Sequence, residues 1–357
     1  MPEYLFVDHP DNISHTITGH ARLGVDTEFM REKTYFAQLC LVQISTPDAI
    51  YCVDPLVDGG QTEFWQQLLA CSWVVHSARQ DIEVVYQTAG AMPREIFDTQ
   101  VAAGLLGMAA QVGYAGLVKE LFDVDMAKSH TRADWTRRPL ATAVLDYAAE
   151  DVEYLLPAAE VLSEGLDKKG RLDWARQDSE LLLDAALYDI SGDQAIDRVK
   201  GARNFRGPKR AAAVRLAAWR EEEAIRRNRP RQWIVRDNVL LDIAYKLPTT
   251  LEQLAKIDGM SPKLVNRAGA QLIDVVDASK YSENGYEPPR PPDEAQKALL
   301  KEMQSQVSEC AKDLEIAAET VASKRELSAV IISGNRDTRV FNGWRRELIG
   351  ERLLQLL

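Results

Sequence analysis

The sequence is poor in the residues that build metal-thiolate centres and disulfide frameworks. Only four cysteines occur in 357 residues, and no two of them have the CxxC spacing of a zinc site. They are Cys40, Cys52, Cys71 and Cys310, and three of them lie in apolar runs. Buried, reduced thiols are therefore expected, rather than a structural zinc site or a set of disulfides.

Long apolar runs are also missing. No stretch reaches the roughly 18 apolar residues that a membrane-spanning helix needs, and the N-terminus lacks the basic and apolar regions of a secretory signal. The sequence therefore predicts a cytoplasmic monomer without a membrane partner. A composition of 46% hydrophobic and 27% charged residues is ordinary for a globular protein, and the length predicts two or three domains.

The net charge of −11 is unevenly distributed. Residues 1–160 contain 10 Lys/Arg and 23 Asp/Glu, whereas residues 161–357 contain 33 and 31. An acidic N-terminal part is typical of a domain that binds divalent cations, and many solvated domains share it. Residues 203–236 are instead basic, with 11 Lys/Arg, 3 Glu and two interleaved tryptophans, Trp219 and Trp233. That stretch indicates phosphate binding, with a solvated helix carrying internal ion pairs as the alternative.

Hydrophobic patterning predicts an α/β part followed by a helical part. Residues 20–55 predict three strands, and alternating helices and strands follow, with 96–108 and 113–126 predicted helical. A long helix is predicted over 139–170, bent or interrupted at Pro157. This order favours an α/β sheet with a mixed edge. Beyond Gly170 the pattern is almost wholly helical.

Four acids occupy unusual positions. Asp26 and Glu28 are one residue apart in a strand and share a face. Asp81 opens a predicted helix, and Asp151 lies four residues after Tyr147 on another. Each feature alone also fits an edge pair, a helix cap or a surface contact. If the sheet brings the four acids together, cations of total charge near +4 must hold them, as in a two-metal phosphodiester site with Mg²⁺ or Mn²⁺.

These residues carry a resemblance to a known family. The segments VDTEF, VVHSARQDIEVV and DYAAEDVEYLLP resemble, in order and spacing, the three exonuclease motifs of the DEDD superfamily, in the subgroup with tyrosine in the third motif. The segment SHTRADWTRRPL is similar to ribonuclease D, and so are the later helical segments, which include the HRDC domain shared with RecQ-type helicases. The resemblance covers the chain from about residue 20 to residue 357.

The resemblance implies a ribonuclease H-like α/β exonuclease domain with a mixed central sheet, followed by two all-α HRDC-type helical domains. The implied parts are the exonuclease domain at 1–168, a helical connection at 169–202, a first HRDC domain at 203–286, a proline-rich linker at 287–292 and a second HRDC-like domain at 293–357.

The resemblance also implies a catalytic set. Asp26, Glu28, Asp81 and Asp151 are the implied ligands of two divalent cations, and Tyr147 is the implied group that orients the attacking water. The histidine subgroup would place His at position 146, which is Asp in this chain. Candidate RNA contacts are Phe29, His76, Arg226, Arg227, Arg229 and Arg231. For Phe29 and His76, packing in the core is the alternative.

The implied reaction is stepwise hydrolysis from the 3′ end of RNA, namely tRNA precursors and other small structured RNAs, to nucleoside 5′-monophosphates. Two alternatives remain: a DNA 3′–5′ exonuclease, and a non-catalytic RNA-binding protein with a nuclease fold. The chain has no G-x-x-x-x-G-K-[ST] motif, which argues against a helicase-linked DNA enzyme. The complete set of four acids and one tyrosine argues against the non-catalytic alternative.

Overall fold

The computed structural model describes residues 2–57, 61–126, 133–189, 192–279 and 292–357. The chain divides into two compact units. The first comprises the described residues of 1–30, 38–185 and 291–357, and the second those of 31–37 and 186–290. Except for Pro292, the proline-rich linker expected at 287–292 lies outside the described residues. The domain boundaries drawn from the sequence remain predictions.

A six-stranded sheet organises the first unit. Its strands are β1 (Tyr4–Val7), β2 (Arg22–Met30), β3 (Gln38–Ser45), β4 (Ile50–Val53), β5 (Ser72–Val75) and β6 (Glu95–Asp98), in the order β1-β4-β3-β2-β5-β6. The strand β3 is antiparallel to β2 and β4, and the other neighbours are parallel. The α/β class with a mixed sheet is confirmed. The expectation of a mixed edge was wrong, because the antiparallel strand β3 lies in the interior of the sheet. Short connections join β3 to β2 and to β4, and strands that are joined by short connections pair antiparallel.

Helices of the first unit alternate with the strands and continue past them. They are α1 (Ser14–Ile17), α2 (Thr62–Ala70), α3 (Arg79–Ala89), α4 (Thr99–Leu106), α5 (Tyr114–Phe122), α6 (Thr142–Glu153), α7 (Leu155–Lys168) and α8 (Leu172–Glu180), with 3₁₀ turns at Pro10–Ile13 and Leu181–Leu183. A further 3₁₀ turn, Ala185–Leu187, includes the chain boundary between the two units. The helix expected over 139–170 is therefore two helices. The break is at Tyr154, and Pro157 lies in the first turn of α7, where a missing N–H is tolerated.

The strand β6 corrects the sequence analysis, which predicted a helix from residue 96. The strand β6 is only four residues long, and α4 begins directly after it. The apolar residues of β6 therefore fit the helical period of α4, and the sequence pattern does not separate the two elements. The junction is fixed by Asp98, which is 2% exposed. Its carboxylate accepts hydrogen bonds from the N–H groups of Ser77 and Ala78 before α3, and from that of Gln100 in α4. One side chain thus holds the starts of two helices.

The second unit is helical. Its helices are α9 (Gly207–Arg227), α10 (Arg231–Ile234), α11 (Asp237–Lys246), α12 (Leu251–Ala255) and α13 (Pro262–Asp277), with 3₁₀ turns at Gly192–Arg198 and Ala202–Asn204. Residues 31–37 belong to this unit, although they connect β2 and β3 in the sequence. The Tyr35 hydroxyl donates to Glu221 Oε1 at 2.5 Å, and Asn228 Oδ1 accepts from the N–H groups of Tyr35 and Phe36. The connection between β2 and β3 is therefore anchored on α9.

The last helical block packs in the first unit. It contains α14 (Glu294–Asp313), α15 (Ala318–Val321), α16 (Lys324–Ser333), α17 (Gly343–Arg345) and α18 (Glu351–Leu354), with a 3₁₀ turn at Arg339–Phe341 and a π turn at Arg346–Gly350. The Arg345 guanidinium donates to both carboxylate oxygens of Asp178, at 2.6 and 2.7 Å. Trp344 stacks on Trp174 with ring centroids 4.4 Å apart. The helix α8 and this block therefore share one interface.

One sequence expectation about composition is met among the described residues. All four cysteines are free and buried, as predicted. None of the described helices has the length and apolar character that crossing a bilayer requires.

Replacing Asp178 with Ala should lower the free energy of unfolding by about 3–5 kcal/mol, because it leaves the Arg345 charge buried without its partner. The Arg345 side chain is only 2% exposed. Urea unfolding measures the loss. Asp173→Ala is the matched control, since that carboxylate is 79% exposed and pairs with Arg176 at the surface. Equal losses in the two variants would contradict the importance of this buried pair.

Candidate active site

The strand β2 presents two acids to one face of the sheet. Asp26 and Glu28 are separated by Thr27, so their side chains leave the strand on the same side. The pairing of β2 with β3 shifts register between Glu28 and Phe29. The unpaired extra residue of this bulge is Cys40 of β3, so β3 is the strand that bends at this point. Phe29, a candidate RNA contact, is partly buried directly after the bulge.

The helix α6 supplies the third acid and the tyrosine. Tyr147 and Asp151 lie one turn apart on α6, and the interaction with the Tyr147 hydroxyl lowers the pKa of Asp151. The Tyr147 ring lies 6.4 Å from the ring of Trp135, which is 3% exposed. Trp135 belongs to the segment just before α6, and its packing supports the position of the Tyr147 ring.

Asp81 is the fourth acid, in the first turn of α3. It is 8% exposed, and its Oδ1 accepts a hydrogen bond from Thr27 Oγ1 at 2.5 Å. Because Thr27 lies between Asp26 and Glu28, this bond connects α3 to the acidic segment of β2. Asp81 therefore lies beside the other acids with one of its oxygens already engaged.

Three of the four acids converge on a small cavity. One carboxylate oxygen of each of these acids, Asp26, Glu28 and Asp151, lies within 4.8 Å of the corresponding oxygens of the other two. These acids line a cavity of about 210 Å³ together with His76, Tyr114, Tyr147 and Leu155. An all-carboxylate set of this size suits a hard divalent cation such as Mg²⁺ or Mn²⁺. The residues present therefore fit the metal site that the resemblance implies.

Burial, and after it neighbouring charges, raises the pKa values of the four acids. Burial, and then the charges of Asp81, Asp151 and Glu28, hold the pKa of Asp26 well above its usual range. Burial and the charges of Asp151 and Asp81 raise the pKa of Glu28 to about 8. Burial likewise raises the pKa of Asp81 and that of Asp151 to about 7, against hydrogen bonds from Thr27 and Tyr147 that lower them. At neutral pH the group can therefore be fully ionised only when cations neutralise it.

His76 lines the cavity with both ring nitrogens engaged. Its Nε2 lies 3.0 Å from the Val112 carbonyl oxygen, which can only accept, so Nε2 carries a proton. Its Nδ1 lies 2.9 Å from Thr99 Oγ1. Burial lowers the pKa of His76, while Asp98 and the Val112 carbonyl oppose this shift. His76 is thus fixed in the wall of the cavity. Because both of its ring nitrogens have partners, a contact with RNA would have to be made by the face of its ring.

Much of the basic stretch in the second unit is paired internally. Arg226 and Arg227 both bind Glu223, with shortest distances of 2.6 Å. Arg231 binds Glu221 at 2.9 Å and lies over the Tyr35 ring. Arg229 is exposed, and its guanidinium lies 3.4 Å from the Lys33 carbonyl oxygen. Of the four arginines, Arg226 and Arg229 are exposed and Arg227 and Arg231 are partly buried.

Sequence comparisons agree with this geometry. The family model for 3′–5′ exonucleases matches residues 8–167, and the model for the HRDC domain matches residues 209–276. A protein named ribonuclease D from Gluconacetobacter diazotrophicus is 36% identical over 349 residues, which cover 94% of this chain and 87% of that protein. A second ribonuclease D, from Xanthomonas oryzae pv. oryzae, is 31% identical, and the match covers 100% of this chain and 99% of that protein.

The chain belongs to the ribonuclease D family.

A solved structure supports the same assignment. The crystal structure of Escherichia coli RNase D, described as an exoribonuclease involved in structured RNA processing, matches with a TM-score of 0.89 and 26% identity. The match covers 99% of this chain and 98% of the other. As a ribonuclease D, the chain is a 3′–5′ exoribonuclease, a hydrolase with an HRDC domain. The family, the fold class and the enzyme class expected from the sequence are confirmed.

The sequence analysis did not identify two parts of the cavity wall. Leu155 begins α7, and Tyr114 begins α5 directly after Gly113. The Tyr114 hydroxyl accepts a hydrogen bond from the Tyr154 N–H at 2.9 Å, at the break between α6 and α7. An aromatic residue after a helix-starting glycine was the one available signal, and it does not by itself indicate a site.

We expect the metal-free protein to lose stability as the pH rises. The acids have folded pKa values above their unfolded values of about 4, so the folded state keeps protons that the unfolded state has lost. The stabilisation is complete below about pH 4 and is lost as the pH rises through the folded values of about 7 and 8. Urea unfolding in EDTA between pH 5 and pH 8.5 measures this dependence.

In that experiment Mn²⁺ should restore stability at high pH, and Asp151→Asn should flatten the pH dependence. Asp167→Asn, an exposed position on α7, serves as the control and should leave the dependence unchanged. A metal-free protein whose stability does not fall over this range would contradict the mutual repulsion of the acids.

Proposed function

We propose that the chain removes nucleotides one at a time from the 3′ ends of tRNA precursors and other small structured RNAs, and releases nucleoside 5′-monophosphates. The observation that carries the proposal is the convergence of Asp26, Glu28 and Asp151, whose ligand oxygens lie within 4.8 Å, beside buried Asp81. The E. coli protein, described as acting in structured RNA processing, supports this substrate class.

We further propose that Asp26, Glu28, Asp81 and Asp151 together hold two divalent cations, Mg²⁺ or Mn²⁺. Carboxylate oxygens are the ligands such cations prefer, and burial, followed by neighbouring charges, raises the pKa values of these acids, so their charged forms need compensation. When bound, such a pair supplies a nucleophile at neutral pH and stabilises the charge on the leaving 3′ oxygen. The proposed task of the four acids is to set the positions of both charges relative to the scissile bond.

The proposed task of Tyr147 is to orient the attacking water. Burial and the charges of Asp151 and Glu28 raise the pKa of Tyr147, so its phenol stays protonated. The proposed acceptor of that proton is Asp151, whose pKa the Tyr147 hydroxyl lowers. The phenol oxygen therefore meets the water as an acceptor, and Tyr147 acts through hydrogen bonding and not as a general base. Its ring, supported by Trp135, fixes the direction of that bond.

The proposed RNA contacts outside the cavity are made by exposed arginines of the second unit. Arg226 and Arg229 are exposed, and Trp233 is 58% exposed in the same stretch of sequence. Guanidinium groups bind the phosphates of any sequence. Arg227 and Arg231 are partly buried beside Glu223 and Glu221, and they stay candidate contacts. Phe29 and His76 stay candidate contacts at the cavity. That the enzyme acts as a cytoplasmic monomer also stays a prediction.

The substrate proposal predicts mononucleotide release from RNA. Incubation of a 3′-extended tRNA precursor with Mg²⁺ or Mn²⁺ should give nucleoside 5′-monophosphates and a stepwise shortened RNA, resolved by denaturing electrophoresis and chromatography. Asp26→Asn, which removes one implied ligand, should abolish the release. A DNA oligomer of matched sequence should be degraded more slowly. Equal degradation of the DNA, or an active Asp26→Asn variant, would contradict the proposal.

Tyr147→Phe should lower turnover about 10²–10⁴-fold, the usual effect of a placed orienting group. Only the phenol oxygen is lost, so packing against Trp135 and metal affinity should change little. Single-turnover rates at saturating Mn²⁺ measure the effect, with Tyr154→Phe as the control, since its hydroxyl is not part of the cavity lining. A turnover rate that falls by less than about threefold would remove Tyr147 from the proposed catalytic set.

Arg229→Gln should weaken RNA binding and reduce the salt slope of the binding constant by about one, as expected for one lost phosphate contact. Fluorescence anisotropy with labelled RNA from 50 to 300 mM salt measures the slope. Arg325→Gln, at an exposed position on α16, is the control with the same change in charge. An unchanged slope in Arg229→Gln would contradict this contact.

A further inference from the structure

Gln43 is a buried polar side chain without a partner. It is 0% exposed, and neither its amide nitrogen nor its amide oxygen has a hydrogen bond among the described residues. Leaving a buried amide unpaired destabilises the folded state. Such a group in the middle of a core strand therefore calls for an explanation in terms of function.

The sheet register places Gln43 beside a proposed metal ligand. Gln43 of β3 lies directly opposite Asp26 of the antiparallel strand β2. Side chains of residues paired in this way share a face of the sheet, with Cβ atoms about 4.5–5.5 Å apart. A glutamine side chain is long enough to bring its amide to the carboxylate of such a neighbour.

The other residue paired with Gln43 offers a weaker partner. On its far side Gln43 is paired with Cys52 of β4. Burial raises the pKa of the Cys52 thiol to about 12, so it stays a protonated, weak hydrogen-bonding group. Cys52 packs in an apolar cluster with Ala148 and Ala149 of α6. The strong acceptor next to Gln43 is therefore the Asp26 carboxylate.

We propose that Gln43 is a positioning residue for the metal site, and that its amide N–H donates to the Asp26 carboxylate when cations are bound. The inference rests on the proposed function. Carboxylates that bind metals are usually held by hydrogen bonds from a surrounding shell of residues. A neutral amide fixes the carboxylate without adding charge, whereas Lys or Arg at this position would compete with the cations.

The neighbouring pair on the same two strands provides a matched control. Ser45 lies opposite Gly24, is 3% exposed, and its hydroxyl also has no partner among the described residues. A Cβ atom on Gly24 would lie 2.1 Å from Ser45 Oγ, so the glycine makes room for the serine. Ser45 thus matches Gln43 in strand, face and burial, but it does not face a ligand.

The test compares Gln43→Met and Ser45→Ala with the unmodified full-length protein. Mn²⁺ binding is measured by electron paramagnetic resonance without RNA, and hydrolysis as a function of Mn²⁺ concentration. Gln43→Met should bind Mn²⁺ about 10–100-fold more weakly and regain most of its turnover at saturating Mn²⁺. Ser45→Ala should bind Mn²⁺ normally. Unfolding in EDTA should show Gln43→Met at least as stable as the unmodified protein, because an unpaired amide is removed.

Normal Mn²⁺ affinity in Gln43→Met would overturn the inference and leave the proposed function intact. Equal loss of affinity in Ser45→Ala would also overturn it, since any change in this strand would then disturb the site. Failure of the unmodified protein to bind Mn²⁺ would reject the proposed function and this inference together. If Gln43→Met does not fold, Gln43→Leu is read in the same way.

Discussion

Repulsion among buried carboxylates is the constraint around which the first unit is arranged. Asp26, Glu28, Asp81 and Asp151 come from a strand and two helices and meet where burial makes each negative charge costly. A fold that only needed stability would place apolar side chains at these positions. The raised pKa values of these acids follow from this burial and from the charges around them. The proposed cations would convert this repulsion into attraction.

The surrounding structure holds the acids in place against that repulsion. Thr27 donates to Asp81, and the Tyr147 hydroxyl lowers the pKa of Asp151, so two of the acids have a neutral neighbour that stabilises their charged form. Asp98, away from the cavity, holds the starts of α3 and α4 and thereby the helix that carries Asp81. Gln43 would complete this support at Asp26. The side chains of Thr27, Tyr147 and Gln43 are neutral, and Asp98 lies away from the cavity. None of these residues therefore occupies the place of a cation.

Features that depend on residues close together in the sequence could be predicted, and features that depend on distant residues could not. The shared face of Asp26 and Glu28 follows from the two-residue period of a strand, and the contact of Tyr147 with Asp151 follows from the turn of a helix. The order of the strands could not be read locally, so the interior position of β3 was missed. The fold and enzyme class were accessible because the motifs resemble a known family.

Other features depended on contacts that are distant in sequence. Nothing local distinguishes the exposed guanidinium of Arg226 from the half-buried one of Arg231, whose direction is set by Glu221 and Tyr35. Tyr114 joins the cavity only because α5 packs against the break between α6 and α7. Gln43 looks like any polar residue in a strand until the register places it opposite Asp26.

The central claim is that these acids hold two divalent cations, and crystals soaked in Mn²⁺ test it most directly. Anomalous difference maps should show two peaks about 3.5–4 Å apart, surrounded by the carboxylates of Asp26, Glu28, Asp81 and Asp151. A single peak at full Mn²⁺ occupancy, or peaks away from these four side chains, would contradict the account.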